Sequence, residues 1–130
     1  MEEYKFRQKL FVDRLRLEQY QSTIDIHFPT IDEILINLKF TYNGVVQAKK
    51  ERTLKFTPKD KAFFKIECIN ADCVYSDLEL KDEIQKMIWN KETLSVGTKT
   101  CNGYQDYRRY LSKGNHCLTD MEYEIKLKYK

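Results

Sequence analysis

Four cysteines, Cys68, Cys73, Cys101 and Cys117, all lie in the carboxy-terminal half of this 130-residue chain, spaced C-x4-C, then 27 residues, then C-x15-C. Thiolates are soft ligands, and a structural zinc ion takes four ligands in a tetrahedron with sulfur about 2.3 Å from the metal. Each cysteine stands where an extended run ends or a turn begins. Cys68 and Cys73 flank Ile69-Asn70-Ala71-Asp72, Cys101 precedes Asn102-Gly103, and Cys117 follows Lys113-Gly114-Asn115-His116. Side chains at such places are not committed to sheet pairing, so all four can point at one centre. The wide Cys101/Cys117 pair then requires Tyr104 to Asn115 to fold back as a hairpin or small excursion. His116 is a substitute ligand, although neighbouring residues seldom both face one ion. Two further readings stand beside the metal. The cysteines can be reduced core thiols, since cysteine packs as a small hydrophobe and Cys68 continues the apolar series Ala62, Phe64, Ile66. One or two disulfides are the third reading.

Between Cys101 and Cys117 lie Tyr104, Tyr107, Arg108, Arg109 and Tyr110, flanked by Lys99 and Lys113. Aromatic faces interleaved with guanidinium groups are what single-stranded nucleic acid binds, through base stacking and phosphate pairing. The structural alternative is that the tyrosines fill a sheet face or loop core while the arginines stay solvated. Lys126, Lys128 and Lys130 read as the wet face of an edge strand, where lysine also discourages aggregation.

Recognisable catalytic patterns do not emerge. The four glycines, Gly44, Gly97, Gly103 and Gly114, show no G-x-G spacing, so there is no phosphate-cradling loop. His116 beside Cys117 is not a catalytic dyad, because such partners meet across a fold rather than along a chain. Asp72, Asp77 and Glu79 are as well explained by turn and helix capping as by acid–base chemistry.

Composition bounds the class. Charged residues make up 33% and hydrophobic ones 42%, a balance suited to one globular domain spanning 1–130, with residues 68–117 as its cysteine-bearing part. Twenty-three basic against 20 acidic residues leave a net charge of +3, and lysines outnumber arginines 17 to 6. That is not the footprint of a dedicated duplex-DNA binder. No apolar run approaches the roughly 20 residues that span a bilayer. The start, Met1-Glu2-Glu3-Tyr4-Lys5-Phe6, carries acids where a signal peptide needs basic and apolar residues. A cytoplasmic setting with reduced thiols is the expectation.

The elements that must position the cysteines follow from periodicity. Ile34, Ile36, Leu38, Phe40 and Tyr42 alternate with polar residues, which marks a strand with one apolar face. Asn43-Gly44 then suits a hairpin turn, with a return strand reading out at Leu54 and Phe56 before Pro58. Ile24, Ile26 and Phe28 alternate, as do Ala62, Phe64, Ile66 and Cys68, and both runs are expected to be strands. Residues 4–20 fit either a helix face or a short strand and are assigned as strand. Leu80, Ile84, Met87 and Ile88 follow helical spacing, predicting a helix at about 81–92 with a capping box from Ser76 and Glu79, or Asp77 capping alone. Strands follow at Val96 to Cys101 and over Tyr123, Ile125, Leu127 and Tyr129. The expected fold is α+β, a mainly antiparallel sheet of six or seven strands with one main helix packed on it, or a partly closed barrel. The expected function is a small non-catalytic binding domain stapled by structural zinc, presenting its sheet or the Tyr104–Tyr110 loop to a protein partner. A single-stranded nucleic-acid module using the Tyr104–Tyr110 segment and an enzyme of unrecognised type are the alternatives. No membrane partner is expected.

Overall fold

The computed structural model describes residues 12–43, 48–69, 78–101, 117 and 119–130. Residues 12–20 are helical (α1). Six elements follow: α2 (Ile24–His27), β1 (Ile31–Tyr42), β2 (Ala48–Phe56), α3 (Lys81–Trp89), β3 (Leu94–Thr100) and β4 (Thr119–Tyr129). The class is α+β, and the strands form one antiparallel sheet in the order β2-β1-β4-β3. Four strands, rather than six or seven, make the sheet among the described residues, and its order leaves β2 and β3 at opposite edges instead of closing a barrel. No helix among the described residues is long and apolar enough to cross a membrane.

Cross-strand register explains the core. Ile34 pairs with Leu127, Ile36 with Ile125, Leu38 with Tyr123 and Phe40 with Met121. Across the hairpin, Ile34 meets Phe56 and Ile36 meets Leu54. Because side chains alternate between faces, these registers stack the alternating apolar residues of three strands on one side and leave Leu35, paired with Lys55 and Lys126, on the other. Ile34, Ile36, Ile125 and Met121 are fully buried there. The other face is mostly polar, with Leu35, Leu94 and Val96 as apolar members. Asn37 donates to Glu124 at 3.2 Å and accepts from Thr53 at 3.0 Å, while Lys126 lies 3.4 Å from Glu124. Lys126 and Lys128 face solvent as expected, but β4 is an inner strand paired on both sides, not an edge.

Two runs expected to be strands, around Ile24–Phe28 and 61–68, bury their apolar residues in the core without joining the sheet. Of the run expected to be a strand over 4–20, residues 12–20 are helical, not extended, and residues 4–11 lie outside the described residues. In α2, helical geometry brings Ile24 and Phe28 inward, four residues apart, and turns Ile26 outward to 70% exposure. A five-residue apolar alternation is compatible with either period, and contact with the 58–62 segment decides it. Ile24 donates its backbone N–H to Asp60 at 2.8 Å, Asp25 to Pro58 at 3.0 Å, and Ala62 to Ser22 at 2.9 Å. Over 61–68 the alternation itself holds, with Ala62, Phe64 and Ile66 buried, yet the run joins no sheet ladder. It bridges Thr23 at Lys61 and Glu79 at Lys65. Ile66 also donates to Leu78 at 2.7 Å, and Leu80 to Phe64 at 3.1 Å. Phe63, on its outer side, lies under the Arg14 guanidinium at 4.9 Å, and Arg14 donates to the Lys65 carbonyl at 2.5 Å.

Helix α3 matches its expected place but ends at Trp89. Its N-cap is Leu80, which offers no capping side chain, and the preceding Glu79 carboxylate accepts the Lys81 N–H at 3.2 Å; Ser76 and Asp77 lie outside the described residues. Ile84 and Met87 are its buried side chains. Glu92 donates to Met87 at 2.8 Å and Lys91 to Ile88 at 3.2 Å, with Lys91 at φ 55°, a left-handed stop that turns the chain into β3. Tyr129 secures this turn by donating its hydroxyl to the Glu92 carbonyl at 2.7 Å.

Gly97 is fixed by a neighbour rather than by its backbone angles. The Tyr123 ring lies across it, so an added Cβ would sit 2.6 Å from Tyr123 Cζ. Gly97→Ala is expected to destabilise by about 1–3 kcal/mol through overpacking. In a Tyr123→Ala background that cost should fall close to zero, which a double-mutant cycle by chemical denaturation measures; equal costs in both backgrounds would contradict the contact.

Candidate metal centre

The ends of β3 and β4 carry two of the thiols. Cys101 follows β3 directly, and its N–H donates to the Thr119 carbonyl at 2.9 Å, extending the β3–β4 ladder by one step. It therefore faces the apolar side, as Lys99 and Gly97 do. Cys117 stands two residues before Thr119, on the same side of the chain as Thr119, Met121 and Tyr123. Both are buried, at 1% and 2% exposure. Cys68 comes from outside the sheet, at the end of the extended 61–68 run, and is half-buried. Three chain segments far apart in sequence thus deliver three thiols to one corner of the core.

The sulfurs are close. Cys68 Sγ is 3.6 Å from Cys117 Sγ, and the Sγ atoms of Cys68, Cys101 and Cys117 all lie within 4.8 Å of one another. Four sulfurs at about 2.3 Å from one zinc would stand about 3.8 Å apart, so the trio needs only small shifts to hold an ion. The Cys117 thiol donates to Thr119 Oγ1 at 3.3 Å, and Thr119 is fully buried. That contact gives the one buried polar side chain among the described residues a partner and orients the Cys117 sulfur.

The other residues singled out by sequence are placed differently. Cys73, His116 and the segment Tyr104, Tyr107, Arg108, Arg109 and Tyr110 lie outside the described residues. His27 is exposed on α2, with its ring 6.0 Å from that of Phe28, and takes no part in the thiol group. Lys99 does not stand ready for phosphate: its Nζ is 2.6 Å from Glu83 Oε1 on α3. Hydrogen bonding to Glu83 holds the Lys99 ammonium above the ordinary lysine value, outweighing the opposing effect of burial. Thr119 was not singled out by its sequence pattern, although the alternation Cys117, Thr119, Met121, Tyr123 contains the signal.

Against this geometry stands a plain comparison. No protein family, curated protein or solved structure matches the chain. The reading of the site therefore rests on its own atoms.

Proposed function

We propose that the chain is a small non-catalytic binding domain of the cytoplasm, stapled by a structural zinc ion held by Cys68, Cys101 and Cys117. The observation that carries this reading is the convergence of three thiols, within 4.8 Å, from the 61–68 run and from two strand ends. Soft sulfur ligands favour zinc over hard cations such as magnesium or calcium. Cys73, five positions beyond Cys68 in sequence, is the proposed fourth ligand. Two buried thiols in a corner of the core suit a closed structural site better than a catalytic one, which keeps a position open for substrate.

Binding is proposed because the α3–β3 region exposes large apolar side chains. Trp89 is 87% exposed, and Leu94 and Val96 stand on the outer face of β3. Tryptophan is enriched at protein–protein contacts, so the partner in this reading is a protein. Metal analysis of protein purified without added metal tests the staple. Close to one zinc per chain, with thermal stability falling on chelation, is expected; metal-free protein whose stability ignores the chelator would overturn it.

A further inference from the structure

We propose that Cys68 is an oxidation site for hydrogen peroxide and related hydroperoxides, and that Cys117 resolves the product as a Cys68–Cys117 disulfide. Two observations select this pair from the trio. Cys68 is the thiol that reaches solvent, being half-buried where Cys101 and Cys117 are 1% and 2% exposed. Its sulfur is 3.6 Å from that of Cys117, so a closure of about 1.5 Å reaches disulfide bonding distance. Backbone pairing favours the same pair: Cys68 lies outside the sheet, two residues beyond the Ile66 to Leu78 bond, whereas the Cys101 N–H is part of the β3–β4 ladder.

The chemistry balances in two steps. The Cys68 thiolate attacks one peroxide oxygen, the O–O bond breaks, and hydroxide leaves as Cys68 becomes a sulfenic acid. The Cys117 thiolate then attacks the Cys68 sulfur, and the second oxygen leaves as hydroxide. Two thiols and one peroxide give one disulfide and two waters, with the peroxide reduced. Thr119 Oγ1 lies 3.3 Å from the Cys117 sulfur, and once that thiol has lost its proton the hydroxyl is placed to donate to the thiolate. Where zinc is bound, the bridge removes two of the described thiolates and the ion is released, a consequence that rests on the metal reading above.

Peptide mapping of the full chain after limited hydrogen peroxide, in zinc-loaded and chelator-treated arms, tests the proposal. A Cys68–Cys117 cross-linked peptide, with Cys101 still open to alkylation after unfolding, is expected in the chelator-treated arm. Cys68→Ser should abolish the bridge and Cys101→Ser should retain it. No bridge, or a dominant bridge joining any other pair, overturns the proposal. One zinc released per bridge is expected in the loaded arm. If that protein never takes up zinc, the metal reading fails while the cross-link still decides the oxidation site; if zinc binds and no bridge forms, the reverse holds.

Discussion

Cys68→Ser is expected to lower stability by about 4 kcal/mol in the presence of zinc and by less than about 1 kcal/mol after chelation. The contrast arises from the position of the residue. Cys68 is half-buried at the end of an extended run, so exchanging sulfur for oxygen disturbs little packing by itself. Its contribution comes through the ion: an affinity about a thousandfold weaker removes about 4 kcal/mol of linked folding energy. Denaturant titrations of wild type and variant, each with zinc and with chelator, give the four midpoints required. Equal differences in both conditions would mean that Cys68 acts through packing and not through metal. Cys101→Ser would read less cleanly, because a hydroxyl at 1% exposure carries its own desolvation cost.

Phe64→Ala is expected to cost about 3–5 kcal/mol with or without metal. Phe64 is 1% exposed and joins the 61–68 segment to the sheet. Its ring meets Phe56 of β2 edge-on, with centroids 4.9 Å apart at 63°, and Phe28 at 6.3 Å. Removing it opens a cavity where α2, β2 and the 61–68 segment converge. With each kcal/mol moving Tm by about 4 °C in a chain of this size, the midpoint should fall by about 12–20 °C in calorimetry. Phe63→Ala is the control. That ring is half-buried under Arg14, so its loss should cost less than half as much. Similar losses at both positions would contradict the orientation of the 61–68 segment.

Much of the sheet was legible because its strands are long and one-sided. Ile34 to Tyr42 alternate over nine residues, Asn43-Gly44 marks the end of β1, and the return strand pairs in the expected antiparallel sense. Among the described residues fewer runs join the sheet than periodicity predicts, for a physical reason. Ile24 to Phe28 and Ala62 to Cys68 bury alternate or i, i+4 residues whether or not their backbones join a ladder, and hydrogen-bond partners from distant segments decide which. Burial was thus readable where pairing was not. At the site, Cys68 was legible as the end of an apolar series and Cys101 as the end of a strand. Cys117 follows turn-forming residues in sequence, and its contact with Thr119, the first residue of β4, is a tertiary fact. The Lys99–Glu83 pair joins residues of β3 and α3 whose approach is a tertiary fact, invisible to local pattern.

The most direct test of the zinc staple is X-ray absorption at the zinc edge on protein purified without added metal. A first shell of three or four sulfur scatterers at about 2.3 Å is the predicted result. A shell of oxygen and nitrogen alone, or protein that carries no zinc and none after reconstitution, would contradict it and leave Cys68, Cys101 and Cys117 as packed thiols of the core.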